Sequence, residues 1–383
     1  MSFLSKIYNF KKSLETPFET MNNIYISKEA ILNNYEVFKK LNPTWSIFPV
    51  LKSNAYGHGI KEVAKILKSV KLDYIVADSY FEALKIHEVN STPVLLIGYT
   101  LPINLKNIDF TKVSLVVYDL VTIQELADIG RKVKVHLKID TGMHRQGIYY
   151  EELPKFIEII KASPNIVLEG VCTHFADSDS TINSYSLFQV GEFQKSVVFL
   201  KSRGFKLKYI HSNNSAGATK NFCQTTCNSM RLGISLYGVN PLEKNDESYN
   251  KLSNLKLALT FESILIQIKQ IRAGDKVSYN GTFEAKEDMI IGIVPVGYYE
   301  ALSRKLSNNY SYNYLGYSLP IIGRICMNLT VIDLTGINIK VGDKVEIIST
   351  KASNNIYELA SKSETITYEC FTRLAESIRR KVI

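Results

Sequence analysis

Between residues 45 and 240 the chain alternates two textures: short apolar runs rich in Val, Ile and Tyr, then stretches whose apolar positions recur at helical spacing. The runs SIFPVLKS (46–53), YIVADS (74–79), PVLLIGY (93–99) and SLVVYD (114–119) read as strands. So do KVHLKID (134–140), VLEGVCTHF (167–175), KYIHSN (208–213) and SMRLGISLYG (229–238). Helical segments accompany them: ISKEAILNNYEVFKKL before the first, FEALKIHEV after the second, SYSLFQVGEFQKSVVFLKSRG before the seventh. Ser27, ahead of Lys28 and Glu29, reads as an N-cap, and Gly130 and Gly204 stand where helix C-termini take a left-handed residue. Eight strands alternating with helices over roughly 200–250 residues predict a TIM-like (β/α)8 barrel. A doubly wound open sheet is the rival, and the lack of G-x-G-x-x-G after the first strand counts against it.

The pattern changes after Pro241. Residues 241–250, PLEKNDESYN, are polar and turn-prone and predict a linker. Beyond it LALTFESILIQIKQI, DKVSYNGTF, MIIGIVPVGY, YSLPIIGRICMNLTVIDL and DKVEIIS read as short strands separated by Gly-Asp and Asn-Gly turns. Two helix-like stretches, NIYELASKS and TYECFTRLAESIRR, follow. The organisation predicted is an N-terminal extension over 1–23, a barrel over 24–240 and a mostly β domain over 241–383.

Composition narrows the class. Of 383 residues, 45% are hydrophobic and 22% charged, which excludes a disordered or fibrous chain. No apolar run is long enough to span a bilayer, and the acidic residues near the N-terminus argue against a secretory signal. A cytoplasmic protein without membrane contact is expected. The net charge of +9 invites a nucleic-acid reading, but the lysines are scattered. The dense basic run is confined to Arg373, Arg379, Arg380 and Lys381, so no nucleic-acid partner is expected. Five cysteines, an odd number, argue against a disulfide framework and for reduced thiols. Cys223 and Cys227 are four apart, which suits one helix face, and no second ligand pair follows, so no metal is expected.

In a barrel the chemistry gathers at the C-terminal ends of the strands. There the sequence places Lys52, Lys138 with Asp140, Arg145, His174, His211 and Arg231. Cations at one end of otherwise apolar strands exceed what a core needs, because buried charge is costly unless paired. Lys52, directly after IFPVL, points to the mouth, where a desolvated lysine among cations is a good Schiff-base nucleophile.

These residues also carry a resemblance. VLKSNAYGHG (50–59) is very similar to the pyridoxal-phosphate attachment motif of bacterial alanine racemases. LKIDTGMHRQG (137–147), THFA (173–176), HSNNS (211–215) and RLGISLYG (231–238) resemble that family's later barrel blocks. VSYNGTF (277–283), VGY (296–298), GRICMN (323–328) and TYE (367–369) resemble blocks of its C-terminal domain. The match runs in register over about residues 24–383.

The resemblance implies an amino-acid racemase that interconverts L- and D-alanine with pyridoxal 5'-phosphate as electron sink and supplies D-alanine for peptidoglycan. Lys52 is implied as the cofactor's attachment point and one base, and Tyr279 of a partner subunit as the second. A phenol ordinarily ionises near about pH 10, so a tyrosine base needs cationic, hydrogen-bonding neighbours; His174 matches the residue that supports it. Arg231 matches the residue facing the pyridine nitrogen, where a permanent cation keeps that nitrogen unprotonated. Ser215, Tyr368, Tyr56 and the amides of Gly233 and Ile234 match the phosphate cup, with Asn214 beside it. Arg145 and the Met327 amide match groups near the substrate carboxylate. Lys138 matches a lysine often carbamylated in this family; the plainer reading pairs it with Asp140. Tyr298 and Tyr368 would line the entrance from opposite subunits, so an obligate homodimer with shared active sites is implied.

The match also departs from the family. Asn328 follows Met327 where aspartate is usual, Tyr299-Glu300-Ala301 stands where Ala/Gly-Asp-Gly is usual, and His144 replaces a common glycine. Two alternatives stay open: a related racemase preferring serine or another amino acid, and a non-catalytic pyridoxal-phosphate-binding protein.

Overall fold

The structure is a computed structural model and describes residues 19–383. The proposed N-terminal extension lies mostly outside the described residues.

The strands of the barrel are Ser46–Pro49, Ile75–Ala77, Val94–Leu96, Val113–Val117, Val133–Lys138, Ile166–Cys172, Tyr209–His211 and Ser229–Leu232. The second to seventh form one parallel six-stranded sheet in chain order, and the first pairs in parallel with the eighth. The ring closes through a parallel bridge between Val50 and Val76, and through the Arg231 N–H donating to the Asn213 carbonyl at 3.0 Å. The open-sheet rival is thereby excluded. The strands are shorter than the apolar runs that announced them, because polar and glycine residues at the run ends leave the ladder for the mouth loops.

The helices form where the periodicity places them. Ser27 accepts from the Ala30 N–H at 3.1 Å and caps Lys28–Leu41, and Gly130 ends Leu120–Ile129 in a left-handed conformation. A cluster inside the barrel, with Phe48, Tyr74, Val76, Leu95, Val116 and Tyr209 all buried, fills the space between strands. Phe48 meets Tyr74 and Tyr209 edge to face at 5.5 and 5.2 Å.

The chain divides into two compact units. One contains Ile26–Leu259 and Thr365–Glu376; the other contains Thr260–Glu364 with short pieces from both ends of the chain. The break thus falls later than Pro241. The polar stretch after Pro241 is not a free linker: Asp246 and Lys220 form a buried ion pair at 2.6 Å, and Leu242 and Leu252 are buried.

The second unit is mostly β, as its alternation implies. A six-stranded sheet runs in the order Tyr317–Pro320, Ser311–Tyr314, Lys344–Ile348, Leu259–Ile264, Asn23–Ile26, Arg379–Val382. A three-stranded antiparallel sheet joins Gln267–Ile271, Met289–Val294 and Thr330–Asp333. Helix Ile356–Lys362 appears where NIYELASKS predicts it, but TYECFTRLAESIRR is helical only over Thr367–Thr372, and its end is the edge strand Arg379–Val382.

The cysteine expectation is corrected. Cys223 and Cys227 are joined in a disulfide, with Cα atoms 5.4 Å apart. Asn221 is left-handed and ends helix Ser215–Lys220, so the pair sits on a turn rather than a helix face. Cys172, Cys326 and Cys370 are free thiols. Among the described residues no helix is long and apolar enough to cross a membrane.

Candidate active site

A cavity of about 560 Å³ opens at the C-terminal ends of the barrel strands, a size suited to a small ligand. Its lining includes Lys52, Lys138, Arg145 and Arg231, and Asp78 is the single carboxylate among the lining residues. The site is therefore built for an anion.

Lys52 follows the first strand and opens an unusual turn. Ser53, Asn54, Ala55 and Tyr56 are all left-handed, with φ of 55, 54, 52 and 52°. Each non-glycine residue in that region costs roughly 1–2 kcal/mol, so the neighbours must hold the turn. Glu82 does so with both oxygens, accepting from the Ser53 N–H at 2.6 Å and the Asp78 N–H at 2.8 Å. The Asn54 side chain accepts from the Ile60 N–H at 2.9 Å. His58 is wholly buried, its ring 4.3 Å from that of Tyr237 and 4.7 Å from that of Phe371. Gly57 has φ +78°, and an added Cβ would lie 1.9 Å from the Phe371 carbonyl oxygen, so only glycine fits.

On the opposite wall, the residues after the seventh and eighth strands converge. Asn214 caps helix Ser215–Lys220, accepting from the Gly217 N–H at 2.9 Å and from the Ser178 hydroxyl at 2.9 Å. Its carbonyl oxygen is thus spent on placing Ser215. The Ser215 hydroxyl accepts from the Ser235 N–H at 3.3 Å and keeps its own proton to donate. A Cβ at Gly233 would sit 2.9 Å from the Tyr56 hydroxyl and 4.0 Å from that of Ser215. The missing side chain leaves a cradle edged by two hydroxyls and by the Gly233–Ile234 backbone. Burial pushes the Tyr56 phenol up to about 12, so it stays a neutral donor. The Tyr368 ring lies 6.2 Å from that of Tyr56 and completes this end.

Arg231, 7% exposed, is held from several sides. Its Nη1 donates to His211 Nδ1 at 2.7 Å and to the His211 carbonyl at 2.9 Å. Its Nη2 donates to the Thr173 and Ser212 carbonyls at 2.7 and 3.0 Å and to His174 Nδ1 at 3.0 Å. These bonds leave from Nη1 and Nη2, so among the described residues Nε is left for a ligand. Burial, reinforced by Arg231 and Arg145, holds the His174 imidazole well below its usual range and neutral. Because Arg231 donates to Nδ1, His174 carries its proton on Nε2.

Lys138 does not pair with Asp140. Its Nζ donates to Gln146 Oε1 at 3.1 Å, while Asp140 accepts from the Gly142 and His144 N–H groups, each at 3.0 Å. Burial lowers the Lys138 ammonium to about 8, and Arg231, Arg145 and Lys52 push the same way. Gln146 also donates to the Tyr118 hydroxyl at 2.9 Å. Motif spacing does not single out Gln146 or Glu82; each matters through a contact that only the folded chain makes.

Tyr279, Tyr298 and Met327 belong to the other unit and are exposed there. Tyr279 sits at the tip of a hairpin between Lys276–Val277 and Phe283–Glu284, 66% exposed rather than packed on a strand face. The Tyr298 N–H donates to the Cys326 carbonyl at 3.1 Å, and the Tyr299 N–H to the Met327 carbonyl at 2.9 Å. Two of the departures prove to be partners: the Asn328 amide donates to Glu300 Oε1 at 3.0 Å, and Glu300 Oε2 accepts from the Gly297 N–H at 2.8 Å. A neutral Asn328 suits the buried Glu300 where a second carboxylate would be repelled.

Comparison with known proteins agrees with this architecture. Residues 26–241 match the family model of the alanine racemase N-terminal domain, and residues 258–382 that of its C-terminal domain. An alanine racemase of Leptospira interrogans is 37% identical over 372 residues, spanning 94% of this chain and 95% of that protein. A solved alanine racemase of Clostridium difficile superposes with a TM-score of 0.89 at 29% identity, covering 96% of each chain. One of Bacillus anthracis, with bound L-Ala-P, gives 0.88 at 31% over 96% of each. Sequence and fold agree over almost the whole length, and the chain belongs to the alanine racemase family of enzymes.

Proposed function

We propose that the chain interconverts L- and D-alanine with pyridoxal 5'-phosphate, using two bases, one from each subunit of a homodimer. The observation that carries this is the donor set of the barrel cavity. A lysine at the end of the first strand, a glycine cradle edged by hydroxyls and a buried guanidinium line one space of suitable size. These residues fit the cofactor: Ser215, Tyr56, Tyr368 and the amides of Gly233 and Ile234 would hold the phosphate, and Arg231 Nε would face the ring nitrogen. When bound, pyridoxal phosphate withdraws electrons from the substrate's α-carbon.

The protein's own part is positioning and proton movement. Lys52 would hold the cofactor through its amine, and that amine is placed to take or return the substrate's α-proton on one face. The Tyr279 phenol of the partner subunit does the same on the other face, supported by the neutral His174 through Nε2. The permanent charge of Arg231 disfavours a proton on the ring nitrogen, which favours proton exchange over side reactions. Arg145 and the Met327 amide hold the substrate carboxylate, and Tyr298 with Tyr368 narrows the entrance to a small side chain. Burial lowers the Lys138 ammonium to about 8, which raises the share of neutral amine near neutral pH above that of an ordinary lysine. That amine adds carbon dioxide with release of one proton, and the resulting anion orients Arg145. The product, D-alanine, serves peptidoglycan synthesis in the cytoplasm.

The test is incubation of the holoenzyme with L-alanine in deuterated water, with L-serine in parallel. D-Alanine carrying an α-deuteron, formed faster than D-serine, is expected. Serine turnover equal to or above that of alanine would move the assignment to the broader racemase. Tyr279→Phe should lower kcat about 10²–10⁴-fold, the usual weight of a general base, with the cofactor retained. Loss of cofactor in that variant would show the role to be wrong.

A further inference from the structure

Arg231 is a buried cation with no carboxylate among its hydrogen-bond partners. An uncompensated buried charge is costly, so its counter-charge must be sought further away. It lies at the far end of a chain of side chains running down the barrel interior. Arg231 Nη1 donates to His211 Nδ1 at 2.7 Å, and His211 Nε2 meets His136 Nδ1 at 2.8 Å. His136 Nε2, which makes no hydrogen bond among the described residues, then faces Glu169 Oε2 across 3.7 Å, so the last link is electrostatic.

The tautomers follow from the first link. Arginine can only donate. His211 therefore accepts at Nδ1 and donates from Nε2, and His136 in turn accepts at Nδ1 and directs its own Nε2–H toward the carboxylate. Both rings are fully buried, and burial lowers the affinity of each for a second proton. Glu169 is ionised: hydrogen bonds and the Lys134 ammonium hold its carboxyl down at about 2 against the opposing effect of burial. It accepts from the Tyr74 hydroxyl at 2.5 Å and sits 3.2 Å from Lys134 Nζ, whose side chain is half exposed.

The backbone is arranged for this chain. Pairing between the fifth and sixth strands slips between Val135 and His136, so that Leu168 faces Val135, Gly170 faces His136 and Glu169 is the extra residue. A bulge of this kind re-aims a side chain. Gly170 makes room for the imidazole, since a Cβ there would lie 2.6 Å from His136 Nδ1.

We propose that Glu169, acting through His136 and His211, is the counter-anion and positioning group of Arg231, and thereby sets how weakly that arginine donates to the cofactor's ring nitrogen. The inference rests on the reading above that Arg231 meets this nitrogen. An anion at the far end draws the protons of the chain toward itself and makes the guanidinium a poorer donor at the cavity. Neutralising the anion makes Arg231 a stronger donor and shifts the ring nitrogen toward its protonated character. Removing Lys134 unscreens the anion and acts in the opposite sense.

The experiment loads wild type, Glu169→Gln and Lys134→Met with pyridoxal phosphate labelled with ¹⁵N in the ring, and reads the nitrogen's NMR shift in the bound state. Glu169→Gln should move it toward the protonated position and raise abortive transamination per racemisation turnover about tenfold, the weight of one charge-assisted hydrogen bond. Lys134→Met, altered on a half-exposed side chain, should move the shift the other way by a smaller amount. A loss of stability alone would not produce opposite signs. If Glu169→Gln does not fold, Lys134→Met decides: a shift away from the protonated position supports the relay, and no shift overturns it. With both variants folded, unchanged or same-signed shifts overturn the relay and leave the cofactor reading intact. Failure of the wild-type protein to take up the labelled cofactor overturns both.

Discussion

The left-handed positions of the two compact units make an instructive contrast. In the barrel unit, Ser53 to Tyr56 form a left-handed turn clamped by Glu82 and Asn54 and followed by Gly57, whose missing Cβ lets the Phe371 carbonyl approach. In the β unit, Ala301 occupies a left-handed position at φ 81° just after the exposed Tyr298 and Tyr299, where a glycine would be unstrained. Strain in the barrel is held by hydrogen bonds and packing beside Lys52. Strain in the β unit falls on a half-buried alanine whose N–H donates to the Tyr298 carbonyl at 3.2 Å. The barrel mouth is a cation-lined cavity beside a hydrogen-bonded turn, whereas the β unit presents Tyr279, Tyr298 and Met327 as exposed side chains. Under the proposed function, a partner subunit's cavity would surround these groups.

Gly57→Ala strikes the barrel turn hardest. A methyl group there meets backbone rather than a movable side chain, and the cost should reach about 3 kcal/mol or more, with loss of cofactor binding. Thermal unfolding of the apoprotein together with cofactor titration measures both; retention of normal affinity would show that the turn does not depend on this contact.

Lys138 provides a pH test with a defined sign. Its folded pKa, about 8, lies below the ordinary 10.5, so the unfolded chain binds more protons between those values. Stability should therefore rise with pH from about 8 to 10.5, and that rise should be weaker in Lys138→Met. Denaturant unfolding in carbonate-free buffer at both ends of the window checks it; identical slopes would show that the lysine is not desolvated.

The smallest effect belongs to the β unit. Ala301→Gly relieves one left-handed alanine and should stabilise by up to about 1 kcal/mol with kcat unchanged. A destabilising result would mean that the loop is as tightly built as the barrel turn.

The barrel was legible because its strands are uninterrupted apolar runs bounded by turn residues, a signal that needs no tertiary information. Ser27 and Gly130 were legible for the same reason, since capping is local. The mouth cations could be found from their place after the runs. What escaped depends on contacts distant in sequence. The left-handed turn looks like a helix start until Glu82, 29 residues on, takes the Ser53 N–H. Glu169 looks like an outward strand residue until a bulge turns it inward. The stretch after Pro241 reads as a linker until Asp246 finds Lys220, and Cys223 and Cys227 read as a helix face until Asn221 ends the helix. The end of the chain reads as helix, yet Arg379–Val382 adds a sheet edge, which local propensity cannot foresee.

The central claim is that one subunit's Lys52 works with the other subunit's Tyr279. Subunit complementation tests it most directly. Lys52→Ala and Tyr279→Phe are each prepared as inactive proteins, then unfolded, mixed in equal amounts and refolded with pyridoxal phosphate. If the sites are shared, half of the dimers are mixed and one of their two sites has both native bases, so about one quarter of wild-type racemase activity returns. If both bases come from a single chain, every site carries one lesion, no activity returns, and the account is contradicted.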